Sequence, residues 1–170
     1  LSTSGGGKDF GDLTAAQFSG GGSVCSPTRS VFASNAGPST SNYKYIDYVQ
    51  TATLGNAADF GDQTVAYGHH GAGVSSNAVR GILVNGYVHP GKVNTVEYIT
   101  MATLGNSKDF GDLTQVRMSS CTAASSTRVV CSNGSTPSYV DTLDYHEIMT
   151  TGNFLDFGDS TVSSSYRAGS

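Results

Sequence analysis

The apolar positions of this chain come in short runs, and the runs return. Ile46-Asp47-Tyr48-Val49, Val96-Glu97-Tyr98-Ile99 and Leu143-Asp144-Tyr145-His146 each set an aliphatic residue and a Tyr two positions apart. Residues two apart share one face of a strand, so Asp47, Glu97 and Asp144 are expected on the opposite, polar face of a half-buried strand. A second kind of run is mostly apolar after its Arg: Thr28-Arg29-Ser30-Val31-Phe32, Val79-Arg80-Gly81-Ile82-Leu83 and Thr127-Arg128-Val129-Val130-Cys131. These predict strands buried on both faces. A turn signal follows each: Ser34-Asn35, Asn85-Gly86 and Asn133-Gly134. The Asn-Gly pairs predict hairpins, because both residues tolerate positive φ. No amphipathic helical run of convincing length is present.

The pattern is organised by a tetrapeptide, Asp-Phe-Gly-Asp, at Asp9–Asp12, Asp59–Asp62, Asp109–Asp112 and Asp156–Asp159. Successive copies start 50, 50 and 47 residues apart. Ala52-Thr53-Leu54-Gly55-Asn56 and Ala102-Thr103-Leu104-Gly105-Asn106 precede two copies, and the looser Thr150-Thr151-Gly152-Asn153 precedes the last. A period of this size marks a repeat architecture, in which each unit buries its apolar face only against its neighbours. The expected organisation is one repeat domain over 1–170. It divides into a partial repeat 1–8, repeats at about 9–58, 59–108 and 109–155, and a partial repeat 156–170. Each unit offers three or four short antiparallel strands, and four-stranded sheets repeated radially make a propeller.

Composition agrees with this and narrows the partners. Charged residues are 13% of the chain, Trp is absent, and Gly, Ser and Thr are plentiful. The formal charge is −4 with no cluster of Lys or Arg, which argues against nucleic acid as a partner. No stretch of about 20 apolar residues exists, so no membrane insertion by a helix is expected. No signal peptide is evident; a chain beginning at Leu1 rather than Met is expected to be a processed product or an excerpt. Of three cysteines, Cys121 and Cys131 flank a predicted hairpin tipped by Ser125 and Ser126. They are a candidate disulfide, and three buried or half-buried thiols are the favoured reading.

The pattern resembles the kelch repeat: an apolar strand ending in a Gly-containing turn, an aromatic-bearing strand, then a strand leading to an Arg. The resemblance runs from Arg80-Gly81-Ile82-Leu83-Val84-Asn85-Gly86 through Glu97-Tyr98-Ile99 to Leu113 and Arg117. The double glycine of that family is reduced to Asn-Gly or Ser-Asn. Its Trp is missing, with Phe60, Phe110 and Phe157 near the expected place. The longer string, from Ile-Asp-Tyr-Val through Leu-Gly-Asn and Asp-Phe-Gly-Asp to Thr-Arg-x-Val-Phe, resembles kelch-like repeats of large virion proteins of tailed phages, particularly those of marine cyanobacteria. This resemblance covers nearly the entire chain. It implies an all-β fold of kelch-like propeller blades, as a partial propeller or one completed by other chains. It also implies a structural or fibre protein of a virion, and it brings no catalytic residues.

The candidate sites are weighed on that basis. In the motif, Asp9, Asp59, Asp109 and Asp156, with Gly11, Gly61, Gly111 and Gly158 and the closing Asp12, Asp62, Asp112 and Asp159, offer hard oxygen ligands suited to Ca²⁺. One Asp pair supplies too few ligands, so a structural turn is expected instead, similar to the Asp-box hairpin of sialidase-like propellers. No kinase signature accompanies the Asp-Phe-Gly triplet. Arg29, Arg80 and Arg128 hold equivalent places and suit either an acidic ligand or ties between sheets, with Asp47, Glu97, Asp144 or a motif Asp as partners. Tyr48, Tyr98 and Tyr145 are expected in the core. Tyr43, Tyr87 and Tyr139 are candidates for exposed glycan contacts. The adjacent pair His69 and His70 suits a solvated turn better than a metal site. His146 beside Glu147 is a candidate proton-transfer pair without counterparts in other repeats, and His89 stands apart.

No catalytic residue, metal ligand or cofactor is expected. The preferred expectation is a virion structural component that assembles as a homo-oligomer or with other virion proteins. The alternative is an extracellular, lectin-like adhesin for host-surface glycans. An enzyme of the galactose-oxidase or sialidase-like type is the least supported, because the ligand and nucleophile sets are absent.

Overall fold

The computed structural model describes residues 6–16, 22–33, 43–67, 74–88 and 90–165. The Ser34-Asn35 turn and His69, His70 and His89 lie outside these residues. The fold is all-β, and its sheets are antiparallel and open. The first sheet is a meander of β1 (Gly22–Cys25), β2 (Arg29–Ala33), β3 (Tyr43–Gln50) and β4 (Ala58–Tyr67). After β5 (Val74–Ser76) and β6 (Arg80–Val84), a ribbon of β7 (Tyr87–Val88) and β8 (Gly91–Lys92) leaves the sheet. The second sheet then resumes with β9 (Thr95–Thr100) and β10 (Lys108–Asp112), in the order β10-β9-β6-β5. The third holds β11 (Cys121–Ala124), β12 (Arg128–Ser132), β13 (Ser135–Thr136), β14 (Ser138–Glu147) and β15 (Leu155–Ser164), with β14 paired to β12, β13 and β15.

The second, third and fourth copies of the acidic motif sit inside the last strand of a sheet. In each case the ladder carries a bulge at its Phe. Register jumps across Phe60 between Asp59 and Gly61, across Phe110 between Asp109 and Gly111, and across Phe157 between Asp156 and Gly158. A bulged residue leaves its own ladder, so its backbone groups are free to bond elsewhere.

Two apolar clusters join the sheets. Between the first and second lie Val31, Ile46 and Phe60 against Leu83, Ile99 and Met101. Between the second and third lie Ile82, Val96 and Phe110 against Val129, Ile148 and Phe154. The sheets also touch at their first strands. The Ser76 hydroxyl donates to the Cys25 carbonyl at 3.1 Å, and Asn77 Nδ2 donates to the Ser126 carbonyl at 3.1 Å.

Two expectations need correction. Asp47, Glu97 and Asp144 do face away from their Ile or Tyr neighbours, but they are buried to 1%, 0% and 0% exposure. Both faces of these strands are covered, because a further segment packs on each. Neither Asn85-Gly86 nor Asn133-Gly134 closes a tight hairpin; the excursion through β7 and β8 separates β6 from β9, and β13 intervenes between β12 and β14. The hairpin 121–131 forms around Ser125, and no disulfide joins Cys121 to Cys131. Cys121 lies opposite Ser132 and Cys131 opposite Thr122. Directly opposed residues share a face, so the two sulfurs point to opposite sides of the sheet.

Candidate functional site

The most developed constellation is the contact by which the motif of one sheet holds the next. The Phe10 carbonyl accepts the Gly55 N–H at 2.9 Å, and the Asp12 carbonyl accepts the Ala57 N–H at 2.8 Å. Asp12 N–H donates in return to Asn56 Oδ1 at 3.1 Å. Phe60 and Asp62 repeat this on Gly105, Ser107 and Asn106, at 2.8, 2.9 and 3.0 Å. Phe110 and Asp112 repeat it on Gly152, Phe154 and Asn153, at 2.7, 2.8 and 3.1 Å. The bulge frees the Phe carbonyl for this bond, and the Leu-Gly-Asn turn (Gly-Asn alone in the third sheet) presents its donor and acceptor to match.

Glycine is required on the motif side for two reasons. Gly11, Gly61 and Gly111 have φ of +144°, +148° and +142°, and a methyl group at Gly61 would stand 2.5 Å from the Gly105 carbonyl oxygen. The preceding Asp shapes the turn. Asp9, Asp59 and Asp156 each accept the N–H of the Gly two residues on, at 3.1, 3.1 and 2.9 Å. Those carboxylates therefore form Asx turns. Among the described residues no group of three or more His, Cys, Asp or Glu is placed to hold a metal ion.

Two residues beyond the motif stands a Thr, and it explains the buried acids. Thr14 donates from its N–H to Asp47 Oδ2 at 3.1 Å and from its hydroxyl to Oδ1 at 2.7 Å. Thr114 does the same to Asp144, at 3.1 and 2.7 Å. The Thr64 hydroxyl donates to Glu97 Oε1, and Ser107 Oγ to Oε2 at 2.6 Å. Asp144 has a further partner in Arg117, whose Nη2 lies 2.9 Å away with both side chains fully buried. The guanidinium also donates to the carbonyls of Thr142 and Cys131. Beside it, burial pushes the Cys131 thiol above its ordinary value, against the opposing pull of Arg117.

The three equivalent arginines take other partners than the sequence suggests. Arg29 and Arg80 reach the next sheet, donating to the carbonyls of Met101 at 3.1 Å and Ile148 at 3.2 Å. Arg128 pairs with Glu147 at 3.3 Å near the surface. Asp47, Glu97 and Asp144 bond the hydroxyls of Thr14, Thr64 and Thr114, with Arg117 a further partner of Asp144. Each Arg instead lies over a Tyr of its own sheet: Arg29 on Tyr48, Arg80 on Tyr98 and Arg128 on Tyr145, at 5.0, 4.2 and 4.8 Å. Those tyrosines are half-buried supports rather than full core residues.

No protein-family model matches this sequence, and no curated protein matches it either. The geometry therefore stands on its own.

The remaining candidates are dispersed. Tyr43 is half-buried and stacks on Tyr45 with centroids 5.4 Å apart; Tyr87 is half-buried in the ribbon; Tyr139 is 63% exposed on β14. His146 packs against the rings of Phe110 and Phe154, with Nδ1 3.0 Å from the Glu147 carbonyl oxygen. That makes it a packing residue between two sheets. The residues that the sequence reading missed are Thr14, Thr64 and Thr114. Their signal was present, since each stands two places after a motif and the acids recur with the same period.

The fourth motif differs from the others. Phe60 and Phe110 are 2% and 1% exposed, but Phe157 is 53% exposed, resting edge-on against Tyr145 with centroids 5.5 Å apart. A methyl group at Gly158 would meet nothing within 4 Å. No Gly-Asn turn of the described residues faces it.

Proposed function

We propose that this chain is a structural or fibre component of a virion, whose units are kelch-like propeller blades and whose work is assembly. The observation that carries this reading is the clasp itself. One set of backbone, Asn and Thr contacts recurs between successive sheets. Stacked modules of this kind share their stability with neighbours, which suits a protein whose work is assembly. The virion assignment rests on the resemblance of the repeat string to phage repeat proteins. In this reading the protein is particle-borne or extracellular, takes its own copies or other virion proteins as partners, and performs no catalytic step.

The test is antibody labelling of purified particles by electron microscopy, with the same antibody against the culture medium. Labelled, regularly spaced particle features support the reading; label confined to free protein would reject it.

A second reading, an adhesin for host-surface glycans, is favoured by the stacked Tyr43–Tyr45 pair and by the exposed Tyr139. Aromatic faces with a polar handle suit sugar rings. Glycan-array binding abolished by Tyr139→Ala or Tyr45→Ala would support it, and an array with no binding would remove it.

A further inference from the structure

The two interfaces between sheets differ where the first strands meet, β1 packing on β5 and β5 on β11. Directly opposed residues share a face, so the register assigns each side chain to an interface. Val24 lies opposite Val31 and Val74 opposite Leu83, and both partners belong to the cluster between the first and second sheets. Ser75 lies opposite Ile82 and Thr122 opposite Cys131, and these partners belong to the cluster between the second and third sheets. Ser75 thus holds the place of Val24, and Thr122 the place of Val74. A pair of valines in one interface is a pair of hydroxyls in the next.

Both hydroxyl oxygens are buried, and neither has a hydrogen-bond partner among the described residues. A third buried hydroxyl, on Ser120, sits beside the Cys131 thiol, which is a weak partner at best. Val24 and Val74 have no such need, so the first interface closes by apolar contact alone.

We infer that the seam between β5 and β11 is a binding site for one ordered water, which bridges Ser75 Oγ to Thr122 Oγ1 and has Ser120 Oγ as its third partner. Size, polarity and charge agree on this ligand. The Ser–Thr pair carries one heavy atom fewer than the two valines, and a water is about the size of that atom. A hydroxyl both donates and accepts, as does water, whereas leaving it buried and unbonded costs its full desolvation. The one carboxylate on this side of the third sheet, Asp144, already holds Thr114 and Arg117, and that ion pair leaves no net charge to attract an ion. The second interface is therefore tied through water, whatever the chain assembles into.

The experiment is a crystal structure at a resolution that shows ordered water, with urea unfolding of three variants. One water is expected within hydrogen-bond distance of both Ser75 Oγ and Thr122 Oγ1. Thr122→Val keeps the shape, and Ser75→Val fills the water's place. Each is expected to lower the folding equilibrium constant about tenfold, because a hydrogen bond is lost or a hydroxyl is left unbonded. Combining Ser75→Val with Thr122→Val rebuilds the valine pair of the first interface and should recover most of that loss. In solution, oxygen-17 relaxation dispersion should count one long-lived water fewer in the double variant than in the wild type. A dry seam, a direct bond between the two hydroxyls, or an equal water count would each overturn the proposal. So would single variants as stable as the wild type, the result expected of hydroxyls buried without a ligand.

Discussion

The carbonyl of Phe110 accepts the Gly152 N–H at 2.7 Å, and Phe110 is the residue that the bulge between Asp109 and Gly111 removes from its own ladder. Irregularity in one sheet thus supplies the bond to the next. The bond in turn forces a glycine: Gly111 has φ +142°, and a methyl group there would overlap the Gly152 carbonyl. Gly158 has the same kind of backbone, φ +126°, but open space around it. Gly111→Ala is expected to cost on the order of 3–5 kcal/mol, from dihedral strain plus overlap. Gly158→Ala should cost about 1–3 kcal/mol, from strain alone. Urea unfolding of both checks the difference. Equal losses would mean that close approach contributes nothing.

Much of this was readable from the pattern of the chain, and what was not has a common cause. The strands β2, β6 and β12 fall on the three apolar runs, and the hairpin tip falls at Ser125. Alternation around Asp47, Glu97 and Asp144 correctly separates two faces, but it says nothing of what covers each face. A solvated acid and an acid capped by a Thr about 30 residues away give the same local string. The arginines mislead for the same reason: their acceptors are the backbone carbonyls of Met101 and Ile148, which carry no side-chain signature. Tertiary partners of backbone groups are invisible to spacing.

The Thr that caps each acid makes a sharper prediction. Thr114 gives Asp144 two hydrogen bonds, one from its hydroxyl at 2.7 Å. Thr114→Val keeps the shape and removes that donor from a buried carboxylate. A loss of about 1.5–3 kcal/mol is expected, the usual worth of a hydrogen bond to a charged group. Thr114→Ser should recover most of it. Equal destabilisation by Val and Ser, measured in urea, would assign the effect to the methyl group instead.

Asp144 and Arg117 form a fully buried ion pair, and Arg117 Nε has no hydrogen-bond partner. Breaking one side strands the other charge. Arg117→Met is expected to cost about 3–5 kcal/mol. Adding Asp144→Asn should return a substantial part of that loss, because an amide needs no counter-ion. A double variant as unstable as the sum of the singles would show that the pair is not coupled.

Thiol chemistry separates the cysteines and sets a pH dependence. Cys25 is exposed, while Cys121 and Cys131 are buried. In the native protein a thiol reagent should label Cys25 quickly and the other two only on unfolding, with no change after reductant. Burial raises the Cys131 thiol above its ordinary value. The unfolded thiol therefore ionises first as pH rises, and the native state then binds the extra proton. Stability is full below the ordinary thiol range and falls above it, by up to about 1.4 kcal/mol per pH unit, until the folded thiol itself ionises. Cys131→Ala should flatten this alkaline limb while lowering stability at neutral pH through the lost packing. Thermal melts from neutral to alkaline pH decide it: an equally steep limb in the variant would place the titrating group elsewhere.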